Sequence, residues 1–186
     1  TLIGANLTNV NFSNLSLKGA NLTRANLTGA NLTGANLTGA RLTGANLTNV
    51  ILTRAILIHT TLIGATLDGA RLDGAHLEGS HFNSASLKST NLSGAHLSGT
   101  NFSKAKIPMG KFDNAVMSKS TIFKDTQLIH TKFSFLQGMK VYFIPLGVFK
   151  YCITTQYFRN SCERFNDASP FFFDTIKYNA NMSRTV

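Results

Sequence analysis

The sequence predicts a solenoid built from stacked five-residue turns, and three observations predict it. An apolar residue returns at every fifth position from Leu2 to Ile122, 25 times without a miss. The residue two before each of these centres is Ala at 15 of the 24 positions where it can be read and otherwise mostly small, with Val10, Leu15 and Val50 the larger exceptions. The residue two after each centre is Gly 12 times and Asn four times.

A period of five fits neither simple element. A helix at about 3.6 residues per turn would spread these leucines around all its faces. A strand would send successive leucines to opposite faces. A chain that turns a corner every five residues instead keeps every centre inside. Gly or Asn two residues later supports this, because a type II turn needs positive φ at its third residue. The Ala-sized residue before each centre also points inward, where only a small group fits beside a large one.

With Ala and Asn ahead of the central Leu, as in Ala25-Asn26-Leu27 and Ala30-Asn31-Leu32, the repeat resembles the pentapeptide-repeat family. The resemblance covers roughly two-thirds of the chain. It implies an all-β fold, a right-handed quadrilateral parallel β-helix with four repeats per coil. Residues n and n+20 then stack, and residues 1–125 make about six coils, a rod roughly 30 Å long at a β spacing of ~4.8 Å. Each coil cannot bury its apolar face alone, so neighbouring coils supply the stability. Leu7, Leu27, Leu47, Leu67 and Leu87 are expected to form one inner ladder. Phe82 and Phe102 are expected to be neighbours in another, with Phe112 a further core aromatic. Outside, Asn6, Asn26 and Asn46 are expected to form an amide ladder.

The repeat changes near its end. Pro108 can occupy the second position of a turn, so it need not break the coil. After Ile122 the phase slips by one residue, and Leu128 and Phe133 are two further centres, preceded by Thr126 and Thr131. Residues 126–186 are therefore expected to hold this slip and then an aromatic-rich segment. That part of the chain contains nine of the 14 Phe and all four Tyr. Such a tail suits a cap over the open end of the solenoid, which would otherwise expose unpaired backbone. Its aromatics Tyr142, Phe143 and Phe149 also suit docking on a partner or a membrane surface. The first repeat is already running at Thr1, with no cap ahead of it. That predicts either a missing or processed N-terminus or an end-to-end contact between two copies.

Composition bounds the rest. Charged residues are 14% of the chain, against a usual ~25%, so solubility falls to Asn, Thr, Ser and Gly. The net charge is +10, which favours anionic partners. Cys152 and Cys162 show neither a disulfide framework nor a zinc motif. No apolar run is long enough to predict a membrane-spanning helix. Most of the 11 Asn-x-Ser/Thr sequons arise from the repeat itself, where sugars would obstruct the faces. This favours a bacterial cytoplasm or an organelle interior.

No catalytic residue, cofactor site or metal site is assigned from the sequence. His76 and His96 are 20 apart and should stack on one outer face, but no third ligand falls in that ladder. Asp68, Asp73 and Glu78 occupy one repeat position on three successive faces, so they form no carboxylate pair. The glycine spacing of five is explained by turns. Lys104, Lys106, Lys111, Lys119 and Lys124 crowd the last coil, with Lys104 expected directly against Lys124. They suit either an acidic partner or a solvated rim that discourages aggregation. Base-stacking aromatics are missing from that surface, which argues against nucleic acid.

The leading expectation is a non-enzymatic scaffold or protein-interaction module. The alternative is an accessory subunit of a larger assembly, docked by its tail. The resemblance also implies a third function, mimicry of duplex DNA by a protein that binds gyrase or topoisomerase IV. That mimicry needs an acidic surface. Residues 1–125 carry 11 Lys and Arg against five Asp and Glu, the opposite sign.

Overall fold

Each residue ahead of a centre pairs in parallel with its equivalent one coil on, from Asn6 with Asn26 to Lys111 with Lys132. Four such repeats close one coil, and the coils form a right-handed quadrilateral β-helix. The structure, a computed structural model, describes residues 1–118 and 120–133, and beyond them only the backbone of four short strands.

The backbone donors of one repeat explain its residue preferences. The centre's N–H donates to the next coil, as from Leu27 to the Asn46 carbonyl at 2.7 Å. The N–H just before the centre donates to the previous coil, as from Asn26 to Ala5 at 2.9 Å. The N–H two after the centre donates to the next coil, as from Gly29 to Thr48 at 2.9 Å. The small residue's N–H closes the turn on its own centre, as from Ala30 to Leu27 at 3.0 Å. Only the N–H just after the centre is left over, and the Asn two residues earlier accepts it. Thr28 donates both its N–H (3.1 Å) and its hydroxyl (2.6 Å) to Asn26 Oδ1. This is an Asx turn. The same pair of bonds recurs at Asn6, Asn21, Asn31, Asn46, Asn91 and Asn101. The expected amide ladder is therefore not what these side chains build: Oδ1 is engaged inside its own repeat. Where residue 86 is Ser, Asp68 in the coil before accepts the Lys88 N–H at 3.0 Å and the Ser86 hydroxyl at 2.7 Å.

The third turn residue has φ between 54° and 72° at every described repeat, yet 13 of these residues are not Gly. Positive φ alone does not select Gly here; the neighbouring coil also does. The His59 imidazole lies over Gly79, where a Cβ would come within 2.5 Å of Nδ1 and 2.7 Å of Cε1.

Inside, Leu27, Leu47, Leu67 and Leu87 are fully buried, as are Phe82, Phe102 and Phe112. Leu7 is only half-buried, because within this chain the first coil has a neighbour on one side alone. Toward the C-terminal end the centres become aromatic. Phe82, Phe102 and Phe123 stack at 5.1 Å in one column, and Phe112 and Phe133 at 4.7 Å in another. Between the columns the rings meet edge to face, the arrangement the ring quadrupole favours. Thr replaces Ala in several inner positions. Its buried hydroxyl donates to a centre carbonyl of the previous coil, as from Thr60 to Leu37 at 2.8 Å and from Thr126 to Phe102 at 2.7 Å.

The phase slip occurs one repeat earlier than the sequence suggests. Ile122 is 43% exposed, while Phe123 is buried and takes the core position. The extra residue lies between Val116 and Ile122, where the Thr121 N–H donates to the Ser118 carbonyl at 2.9 Å. A corner facing solvent accommodates one more residue without disturbing the stack. From there the pairing offset becomes 21, as in Asn101 with Ile122, and coiling continues to Phe133.

Beyond the coils are β1 (Tyr142–Phe143), β2 (Lys150–Cys152), β3 (Cys162–Arg164) and β4 (Phe171–Phe172). β1 pairs antiparallel with β4, and β2 with β3. The capping or docking role expected of this segment lies outside the described residues.

Two outcomes test this arrangement by urea denaturation. Phe123→Ala should cost about 3–5 kcal/mol as a core truncation, whereas Ile122→Ser should stay within about 0.5 kcal/mol. Equal losses would place the slip elsewhere. Asp68→Ala should cost about 1 kcal/mol through the Lys88 N–H. Adding Ser86→Asn should restore most of it, since the introduced side-chain amide would accept that N–H from within its own repeat.

Candidate functional site

Stacking turns the outer surface into columns, so a residue's neighbours are those two away in its own repeat and one coil above and below. The sequence-selected lysines distribute accordingly. Lys104, Lys106, Lys111 and Lys124 are all exposed. They do not share one column. Lys106 pairs with Ser86 and Gln127, and Lys111 with Asn91 and Lys132. The earlier slip also changes the expected contact between Lys104 and Lys124. With the offset at 21, Asp125 holds the left-handed turn position one coil on from Lys104, while the Lys104 N–H donates to the Lys124 carbonyl at 2.8 Å. The like-charge neighbours are instead Lys111 and Lys132, a residue the sequence reading passed over. Lys119 and Phe149 lie outside the described residues, as do the side chains of Tyr142 and Phe143.

The three acidic residues of the middle coils are separated, as the repeat position requires. Asp68 serves Ser86 and Lys88. Asp73 accepts from the Thr53 hydroxyl at 3.2 Å and meets Arg71 Nε at 3.4 Å. Glu78 has a different setting. His76 and His96 pair across adjacent coils, with ring centroids 4.5 Å apart and planes 18° from parallel. Glu78 Oε1 lies 3.3 Å from His76 Nδ1 and 3.9 Å from His96 Nδ1.

A third ligand atom is therefore present, contrary to the sequence reading. It comes from beside the histidine ladder rather than from within it. The relation of His76 to Glu78 is that of Asn26 to Thr28, two residues apart across a centre. That two-residue spacing is the sequence signal for the third ligand, and it lies outside the n+20 column. Among the described residues, no helix is long and apolar enough to cross a membrane.

Comparison with known proteins places the repeat. The family described as pentapeptide repeats matches in eight copies over residues 5–44, 40–79 and 80–118. No curated protein sequence matches the chain. Among solved structures, it is similar to HetL from the cyanobacterium Nostoc sp. strain PCC 7120, a pentapeptide repeat protein involved in heterocyst differentiation regulation. The identity is 25% over 68% of this chain and 73% of that one, with a TM-score of 0.38. It is also similar to alr5209, a pentapeptide repeat protein from Nostoc PCC 7120, at 30% identity over 50% of this chain and 84% of that one, with a TM-score of 0.47. Full-length QnrB1, a plasmid-mediated fluoroquinolone resistance protein, is similar at 15% identity over 78% and 82%, with a TM-score of 0.38.

Proposed function

The chain belongs to the pentapeptide-repeat family, and from that premise we propose that it is a non-catalytic interaction module whose last coils dock an acidic protein surface. The observation that carries this reading is the Lys111–Lys132 pair. Two like charges stacked across a parallel bridge repel, and an acidic partner would relieve that repulsion. Residues 101–133 hold six Lys against two Asp. Coil-to-coil hydrogen bonds hold the described lysines of this segment on a rigid backbone, so little backbone order is lost on docking. The positive sign opposes mimicry of DNA. A tail-docked subunit of a larger assembly remains compatible with the same surface.

The test is a pull-down read by mass spectrometry. It compares the parent with a variant carrying Lys106→Glu, Lys111→Glu and Lys132→Glu, and with a form lacking residues 136–186. The parent should retain a specific protein that salt elutes, and the charge-reversed variant should lose it while unfolding like the parent. Loss only in the truncated form would move the docking site to the tail. Equal retention by all three would overturn a basic docking surface.

A further inference from the structure

We infer that His76, Glu78 and His96 bind one divalent transition-metal ion of the zinc class. Two features of the repeat bring them together. The two-residue step across Leu77 sets His76 beside Glu78, and the coil step adds His96. The three ligand atoms lie within 4.8 Å of one another, the one group of three such residues among those described.

The distances suit such an ion. Zinc takes imidazole nitrogen and carboxylate oxygen at about 2.0–2.2 Å, which sets tetrahedral ligand atoms roughly 3.3–3.5 Å apart. The His76–Glu78 separation of 3.3 Å already meets this, and the His96–Glu78 separation of 3.9 Å needs to close by a few tenths. Stacked imidazoles aim their lone pairs nearly in parallel, so the two rings must tilt toward each other. Both side chains are 44% exposed, which leaves room for that tilt.

Glu78 supplies an independent observation. Its Oε2 is shielded from solvent and has no hydrogen-bond partner, the one such side-chain atom among the described residues. A carboxylate oxygen left in that state is costly, and an ion is one of the explanations it invites. The surroundings add to this. Ile56 and Val116 flank the histidine pair along its column, and Ile58 lies one coil from Glu78. Apolar neighbours lower the local dielectric and strengthen attraction between a cation and the carboxylate. Three protein ligands leave a fourth position for water or a partner's side chain. An ion held here would also join two coils, so it would stabilise the folded rod.

The experiment uses the full chain, with Zn²⁺ followed by calorimetry and thermal unfolding, and Co²⁺ followed by visible absorption. The expected result is one equivalent bound, a raised unfolding temperature and the d–d bands of a tetrahedral nitrogen–oxygen site. His96→Asn places at that position the residue found at Asn91 and Asn101, so the coil has every reason to form. It and Glu78→Gln should each weaken binding by about tenfold or more, with metal-free unfolding near that of the parent. Cys152→Ser with Cys162→Ser should leave binding intact. Failure to saturate, full binding in His96→Asn and Glu78→Gln, or dependence on the two cysteines would each overturn the inference.

Discussion

The structure depends on one constraint: a coil of four repeats must return the chain to a register in which each backbone donor finds an acceptor. A β-helix coil has no sheet of its own, so its N–H groups must reach the coils above and below. Three donors of each inner repeat do so, and a fourth closes the turn. The fifth is within reach only of a side chain, and Asn supplies the acceptor without lengthening the turn. The abundance of Asn and Thr is thus part of the backbone's hydrogen bonding as much as a means of staying soluble.

The same register makes chemistry out of position. Residues far apart in sequence meet when their separation is 20, or 21 beyond the inserted residue. Asp68 reaches into the next coil to stand in for a missing Asn, and Lys111 is set against Lys132. The histidine pair and Glu78 combine the two-residue step with the coil step. One added residue at a corner changes every neighbour relation after it, which is why the equivalent of Lys104 one coil on is Asp125 and Lys124 meets Lys104 only through its carbonyl.

Much of this was legible in the sequence. Leu centres, Ala spacers and left-handed turn residues specify the coil, and the stacking of Phe82 on Phe102 follows from a separation of 20. The slip was legible only approximately, because Ile122 and Phe123 are both apolar and either satisfies the pattern. Packing decides between them: a phenyl ring at 123 stacks on Phe102, and Ile122 is left outside. The destination of the Asn side chains was hidden because a ladder between coils and a bond within the repeat have the same sequence signature. Glu78 was missed because it is on a neighbouring column, and only the closed coil shows that adjacent columns touch.

Residue-resolved amide hydrogen exchange tests the donor account most directly. Thr28, Thr33 and Thr38 have their N–H groups capped by Asn. Thr43, Thr53 and Ile58 hold the same repeat position behind Arg41, Ile51 and Ile56 and have no such cap. Exchange should show a five-residue period, with the capped amides slower than the uncapped ones and the coil-to-coil donors slowest. Equal rates at capped and uncapped positions, or no five-residue period, would contradict the account.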